Sequence, residues 1–233
     1  MKTSYILFFL LSYQLHKTPI SYRKAKNWLH HNHPDYIYGV QDKESKGNCE
    51  HIVPQYLLRK YDIDRRAFSD LHLLSITNEK LNSHRQNFKF DLIDNGNQNT
   101  IFLDELGFVT SPSHYHCKKN KKNRLFEPND KSKGIIARSI AYFYWNYSSL
   151  HSKELLDRKT LVKWNKQFPP KTSERQKNEK VLKRQANKNI FVDNSFLVSI
   201  CFSRPIFFLK NCKHRHMSMK RIKNDRKISE DKL

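Results

Sequence analysis

Cys49-Glu50-His51-Ile52-Val53-Pro54, Asp70-Leu71-His72-Leu73-Leu74-Ser75-Ile76 and Asn78-Glu79-Lys80-Leu81-Asn82-Ser83-His84-Arg85-Gln86-Asn87-Phe88 are the three stretches on which the fold turns. The first reads as a short strand that Pro54 ends, because proline cannot donate to a ladder. The second reads as a short buried strand. Ser75 or Thr77 is placed to cap a helix through residues 78–88. Residues 55–70, between the two strands, are basic and hold Arg59, Lys60, Arg65 and Arg66. A carboxylate beside an imidazole supplies a hard oxygen ligand and a proton acceptor within one step of the chain. By itself a Glu-His pair carries little weight, since most such pairs lie on surfaces by accident. The order of elements is what gives it meaning: a strand with Glu50-His51, a second strand, then a helix with Asn82. Successive strand side chains point to opposite faces. Glu50 and His51 can therefore serve one substrate group only where the backbone bends or the substrate sits between them. Gly47 and Pro54 bracket the segment and permit an irregular strand end.

Outward from this centre, residues 22–31 suggest a short helix through Ala25, Trp28 and Leu29, and residues 36–40 an extended segment. Residues 41–48 form a polar loop. Residues 92–134 read as loop with short strands, and residues 135–147 as a buried helix, because they are almost wholly apolar or aromatic. A helix over 152–167 is halted by Pro169-Pro170, and a basic helix covers 173–186. Residues 196–209 are apolar but broken by Arg204 and Pro205, which argues against a membrane span. A basic tail follows from Lys210, expected to be disordered. At the start, Lys2 precedes the apolar run 5–11. That run is too short to span a bilayer and reads either as a signal peptide or as an apolar helix on the domain. The first reading implies secretion and the second an intracellular protein.

The chain has 233 residues, enough for one domain plus extra chain, and its 44 Lys and Arg against 22 Asp and Glu leave a formal charge of +22. Self-repulsion on that scale disfavours a compact state unless the cations meet a polyanion, with nucleic acid first and an anionic membrane surface second. With 37% hydrophobic residues, and with 3 Trp, 11 Tyr and 15 Phe, there is apolar material for a core, so a wholly disordered basic chain is excluded. Only 5 glycines are present, and no Gly-rich phosphate loop can be found among them. Four cysteines without a CxxC pair are too few for a disulfide scaffold in a chain this long.

The ordered motifs resemble the endonuclease I family of ββα-metal, or His-Me finger, nucleases, which cleave DNA and RNA with little sequence preference. The resemblance runs in order over residues 21–194. It includes Tyr38-Gly39-Val40, Phe126-Glu127-Pro128, Ala137-Arg138, Trp164-Asn165, Glu174-Arg175 with Asn178, and Gln185-Ala186-Asn187-Lys188-Asn189. Leu73 stands where Asn is frequent, Tyr56 where Ser is, and Ile190 where Pro is. The implied fold is α+β, with a ββα-metal core, additional helices and a mostly helical C-terminal half. The implied cofactor is one Mg²⁺, with Mn²⁺ or Ca²⁺ as substitutes, held by Glu50 and Asn82. His51 would be the general base rather than a ligand, and the products would carry 5′ phosphates. The family places a phosphate-binding arginine between the two strands, where Arg59, Arg65 and Arg66 all lie and the register chooses none. Arg85 shares the helix face of Asn82 and has two readings, a phosphate contact or a salt bridge that holds the finger. Arg138 and Arg175 match family positions as substrate contacts or as buried structural groups. The expected partners are DNA and/or RNA, with no small-molecule cofactor, no stable membrane span and a monomeric state.

Two other readings remain open at this level. His114, His116 and Cys117 with Cys212, His214 and His216 have residue types that bind zinc, but the spacing matches no standard finger. The charge alone also fits a non-catalytic nucleic-acid-binding or packaging protein on a nuclease-derived fold.

Overall fold

The computed structural model describes residues 20–32, 36–42, 47–147 and 155–203. The apolar run at 5–11, the basic tail, and Cys212, His214 and His216 lie outside the described residues. The fold is mixed α+β. In chain order come α1 (Tyr22–Asn32), β1 (Asn48–His51), α2 (Gln55–Lys60), a 3₁₀ turn (Arg65–Phe68), β2 (Leu74–Thr77), α3 (Glu79–Arg85), β3 (Lys89–Phe90), β4 (Thr100–Leu103), β5 (Cys117–Asn120) and β6 (Leu125–Glu127). Helices α4 (Asp130–Asn146), α5 (Arg158–Gln167), α6 (Thr172–Gln185), α7 (Ile190–Asp193) and α8 (Phe196–Phe202) follow.

β1 and β2 form an antiparallel pair in which Glu50 faces Ser75 and His51 faces Leu74. A second sheet runs in the order β3-β6-β5-β4 and is antiparallel apart from the β3–β6 pair. α4 is the centre of the main core. Ile136, Ala137, Ile140, Ala141 and Phe143 have no measurable exposure, and α5, α7 and β-sheet residues close around them.

Several elements begin or end away from the sequence-based expectation, each for a local reason. β2 starts at Leu74 rather than at residue 70, because Asp70 folds the chain into a turn: its Oδ1 accepts from the His72 amide at 2.9 Å and its carbonyl from the Leu73 amide at 2.9 Å. Asn78, not Ser75 or Thr77, caps α3, accepting from the amides of Lys80 (2.9 Å) and Leu81 (3.2 Å). The Thr77 hydroxyl instead donates to the Tyr38 carbonyl. α4 begins five residues early because Asn129 caps it through the Ser132 amide. α5 starts only at Arg158, capped by Asp157. Residues 196–202, the described start of the apolar stretch, form a helix whose Val198, Cys201 and Phe202 enter the core.

Two buried polar centres join the halves. Asp70 Oδ2 accepts from the hydroxyls of Tyr142 and Tyr147 on and just after α4, both at 2.7 Å, and Oδ1 accepts from Gln185 Nε2 at 2.7 Å. His72 adds a contact to the Asn187 carbonyl at 3.2 Å. Burial pulls the Asp70 carboxyl upward, but the neighbouring His72 and the bonds from Tyr147, Gln185 and the His72 amide hold it below the ordinary carboxylate range. Arg138 makes a two-pronged pair with Glu174, at 2.7 and 2.6 Å, and donates to the Phe168 carbonyl at 2.8 Å. It is therefore a structural arginine that locks α4, α6 and the turn before α6. Arg175 likewise donates to a backbone oxygen, that of Val192.

Gly134 lets α4 lie directly on that turn. A Cβ there would overlap the Phe168 carbonyl oxygen and crowd the Arg138 guanidinium. Gly134→Ala is expected to lower unfolding free energy by about 1–3 kcal/mol in urea melts, the range for forced overpacking. A variant as stable as wild type would show that α4 and the turn separate freely.

Candidate active site

The site grows from the end of β1. α3 packs against β1, and Arg85 near its C-terminus reaches under the strand. Its Nη1 lies 3.2 Å from Glu50 Oε1 and donates to the carbonyls of His51 and Gln86, both at 3.1 Å. Its Nη2 donates to the Ile52 carbonyl at 2.8 Å, and its guanidinium sits 4.4 Å from the Phe90 ring centre. Arg85 is 1% exposed. Of the two readings of Arg85, this placement favours the one in which it holds the finger: its Nη donors face protein carbonyls and a buried carboxylate, while Nε has no hydrogen-bond partner.

Glu50 is buried with it. Burial raises its pKa, while the Arg85 charge and the nearby Tyr38 hydroxyl oppose the rise. Neither neighbour achieves hydrogen-bond geometry on Glu50 Oε1, which stays buried without a hydrogen bond, as does the Tyr38 hydroxyl. Asn82 is half-buried and lies one helical turn before Arg85 on α3. Tyr38 reaches the site because Gly39 turns the chain at φ +78°, with Leu81 and Asn78 against its Cα.

His51 closes β1 and faces a different set of partners. Its Nε2 is 3.1 Å from the Phe68 carbonyl. A carbonyl can only accept, so in the neutral ring the proton is assigned to Nε2 and the lone pair to Nδ1. Tyr22 of α1 covers the ring at 5.0 Å between centroids, and Gln55 Nε2 lies 3.4 Å from Nδ1 and 3.3 Å from Nε2. Burial, joined by the charges of Arg85 and Arg59, outweighs the Phe68 bond and pushes the imidazole down to about 4. It is neutral at pH 7.

The three arginines of the 55–70 segment are placed differently. Arg59 is exposed and donates to Gln55 Oε1 at 2.8 Å, one side chain away from His51. Arg66 is occupied by Asp64, with contacts of 3.0 and 2.6 Å. Arg65 is exposed on the 3₁₀ turn. Tyr22, Gln55 and the Phe68 carbonyl were not singled out from the sequence. Gln55, directly after Pro54, carried the only usable signal, since four positions along a helix place it within reach of Arg59.

Elsewhere, His116 Nε2 accepts from the Gly39 amide at 3.1 Å, His114 Nδ1 is engaged by Ser111 and Ser113, and Cys117 is buried. Among the described residues no group of three or more His, Cys, Asp and Glu side chains is arranged to hold a metal ion. Among them, too, no helix is long and apolar enough to cross a membrane.

The strand–strand–helix order with Glu50, His51 and Asn82 thus coincides with a family match. The Endonuclease I family model matches residues 17–196, and the chain belongs to that family. It is 29% identical over 177 residues to an Endonuclease-1 of Buchnera aphidicola subsp. Acyrthosiphon pisum (strain APS), covering 67% of this chain and 65% of that protein. To the Endonuclease-1 of Buchnera aphidicola subsp. Baizongia pistaciae (strain Bp) it is 28% identical over 147 residues, covering 63% and 53%. To an extracellular ribonuclease of Bacillus amyloliquefaciens it is 28% identical over 142 residues, covering 54% and 44%. The chain thus spans less than two thirds of the length of these relatives.

His51 has a consequence for stability. Its folded pKa of about 4 lies below the roughly 6.5 of an unfolded histidine. The unfolded chain therefore binds the extra proton first, and stability falls as pH drops through that window by roughly 3 kcal/mol. His51→Gln removes this share, so the stability gap between wild type and variant should shift by that amount between neutral pH and about pH 4. A gap constant with pH would show that the ring is not held neutral.

Proposed function

We propose that this protein is a sequence-tolerant endonuclease that hydrolyses phosphodiester bonds of DNA and/or RNA with one divalent cation, leaving 5′-phosphate ends. The observation that carries this reading is the division of labour at the end of β1. His51 is neutral, with Nε2 committed to the Phe68 carbonyl and Nδ1 left as the basic atom, and the preceding residue is a buried carboxylate with an oxygen that lacks a hydrogen bond.

Glu50 and Asn82 would hold the cation. The donors fit in kind: a buried carboxylate whose Oε1, paired with Arg85 Nη1 at 3.2 Å, makes no hydrogen bond, and an amide on the helix that packs against β1. Oxygen ligands few in number suit Mg²⁺, which keeps several waters, with Mn²⁺ or Ca²⁺ as substitutes. When bound, such an ion lends Lewis-acid stabilisation to charge that develops on the phosphoryl oxygens and the departing 3′ oxygen. His51 Nδ1 takes the proton from the attacking water. The Phe68 carbonyl then steadies the resulting imidazolium and fixes the plane of the ring. Arg59 is the arginine best placed to neutralise the phosphate, being exposed and joined to His51 through Gln55. Arg65 is a second exposed cation farther along the same segment, whereas Arg66 stays with Asp64. Arg85 positions Glu50 and the His51 backbone.

Plasmid DNA and a structured RNA, incubated with the protein in Mg²⁺ or in EDTA, test this directly. The expected result is Mg²⁺-dependent cleavage of at least one substrate, lowered by about 10²–10⁴-fold in His51→Ala, the usual worth of a general base. Binding without cleavage under any divalent metal would favour the packaging reading. Cleavage at the wild-type rate by His51→Ala would contradict the mechanism.

A further inference from the structure

The strand β5 separates two neighbouring lysines by face. Lys118 is neutralised: Glu127 lies 2.7 Å away, and the Ile93 carbonyl and Asn95 complete its bonds. Lys119 points the opposite way, toward α3, and its ammonium sits 3.0 Å from His84 Nδ1. The other nitrogen of that ring lies 3.1 Å from the Gly107 carbonyl, so Nδ1 is the accepting atom in the neutral imidazole. The exposed turn between β5 and β6 adds Lys121, Lys122 and Arg124. The Arg124 guanidinium lies 5.0 Å from the Phe88 ring centre and bonds the Asn87 side chain, and Lys119 lies 5.7 Å from the same ring. The turn is fastened by the Asn123 amide on Asn120 and the Lys89 amide on the Arg124 carbonyl.

The cluster concentrates charge: Lys121, Lys122 and Arg124 are three exposed cations within four positions. Arg66, Lys89, Lys118 and Arg138 each have a carboxylate partner. Among the described residues, Lys119, Lys121, Lys122 and Arg124 have none. Lys119 is held below the ordinary lysine range by burial and by the charge of Lys121, so the cations are close enough to repel. Fixing like charges together costs folding free energy, and a polyanion relieves that cost. The cluster also has a definite position. It rests on residues 87–89, which continue directly from the end of α3 that carries Asn82 and Arg85.

We propose that the exposed 121–124 turn, backed by the buried Lys119, is a second phosphate-contacting surface that grips the nucleic-acid backbone to one side of the scissile bond. This rests on the nuclease reading and extends it to substrate outside the cleavage site.

The test compares wild type with Lys121→Gln/Lys122→Gln/Arg124→Gln. A second variant, Lys121→Gln/Lys122→Gln, keeps the Arg124 contacts and covers the case in which the triple variant does not fold. A control pair, Lys163→Gln/Lys166→Gln, removes exposed charge from α5. Binding to a labelled DNA duplex and a labelled single-stranded RNA is titrated without divalent metal across a KCl series, and cleavage kinetics are measured with Mg²⁺. The expected slope of log affinity against log salt falls by about 0.7–0.9 for each phosphate that the variant no longer neutralises. KM is expected to rise roughly tenfold with kcat within about twofold, the pattern expected when binding weakens equally in the ground state and the transition state. Unchanged slope and KM in both turn variants would overturn the proposal, as would an equal loss in the α5 control. Wild type that binds but does not cut would contradict the nuclease reading alone, and the slope comparison would still decide the turn. Wild type that binds neither probe would overturn both.

Discussion

Arg85 is the group on which the site's geometry depends. A guanidinium at 1% exposure is tolerable only because Glu50 and the carbonyls of His51, Ile52 and Gln86 surround it. Removing either member of a buried pair leaves an uncompensated charge, typically at a cost of about 3–5 kcal/mol. The same contacts dictate shape. By drawing in the carbonyls of two successive residues, Arg85 ends β1 at His51 and fixes where α3 lies under it. The chain thus turns away just after His51, at Ile52 and Val53.

Strand alternation separates Glu50 from His51 chemically. Glu50 faces Arg85 and Tyr38 in the interior, where burial pulls its pKa upward and the Arg85 charge restrains the rise. His51 faces the Phe68 carbonyl, the Tyr22 ring and Gln55, and burial keeps it neutral. A ligand-type carboxylate and a base-type imidazole can therefore sit side by side without forming an ion pair that would disable both. Behind them, the Asp70 cluster with Tyr142, Tyr147 and Gln185 ties the turn before β2 to α4 and α6, so the small β1–β2 pair leans on the helical half for rigidity.

The order Glu50-His51, second strand, Asn82 was legible in the sequence, as was the buried helix around residues 135–147, because side-chain identity and apolar continuity carry both. Other features were hidden for physical reasons. The Phe68 carbonyl that orients His51 is a backbone atom, which every residue possesses. Arg85 has the same letter whether it meets a phosphate or a buried carboxylate, and only tertiary placement decides. Lys118 and Lys119 are adjacent and identical, yet one is neutralised and the other is not. The start of β2 was misplaced because Asp70 forms its turn through hydrogen bonds that an apolar run of letters masks. Among the described residues, the cations behind the +22 charge divide into some with carboxylate partners, such as Lys118 and Arg138, and others without them, such as Lys121 and Lys122. Only the second set bears on a polyanion.

The proposed chemistry depends on His51 being a neutral imidazole protonated at Nε2, with the lone pair of Nδ1, which Gln55 Nε2 approaches at 3.4 Å, accepting a proton from water. Long-range ¹H–¹⁵N correlation NMR of the histidine side chains, with His51 assigned by comparison with His51→Gln, reads this directly. The expected spectrum shows the Nε2–H tautomer at neutral pH, with no imidazolium signature. An Nδ1–H tautomer, or a ring that is cationic at pH 7, would contradict that chemistry.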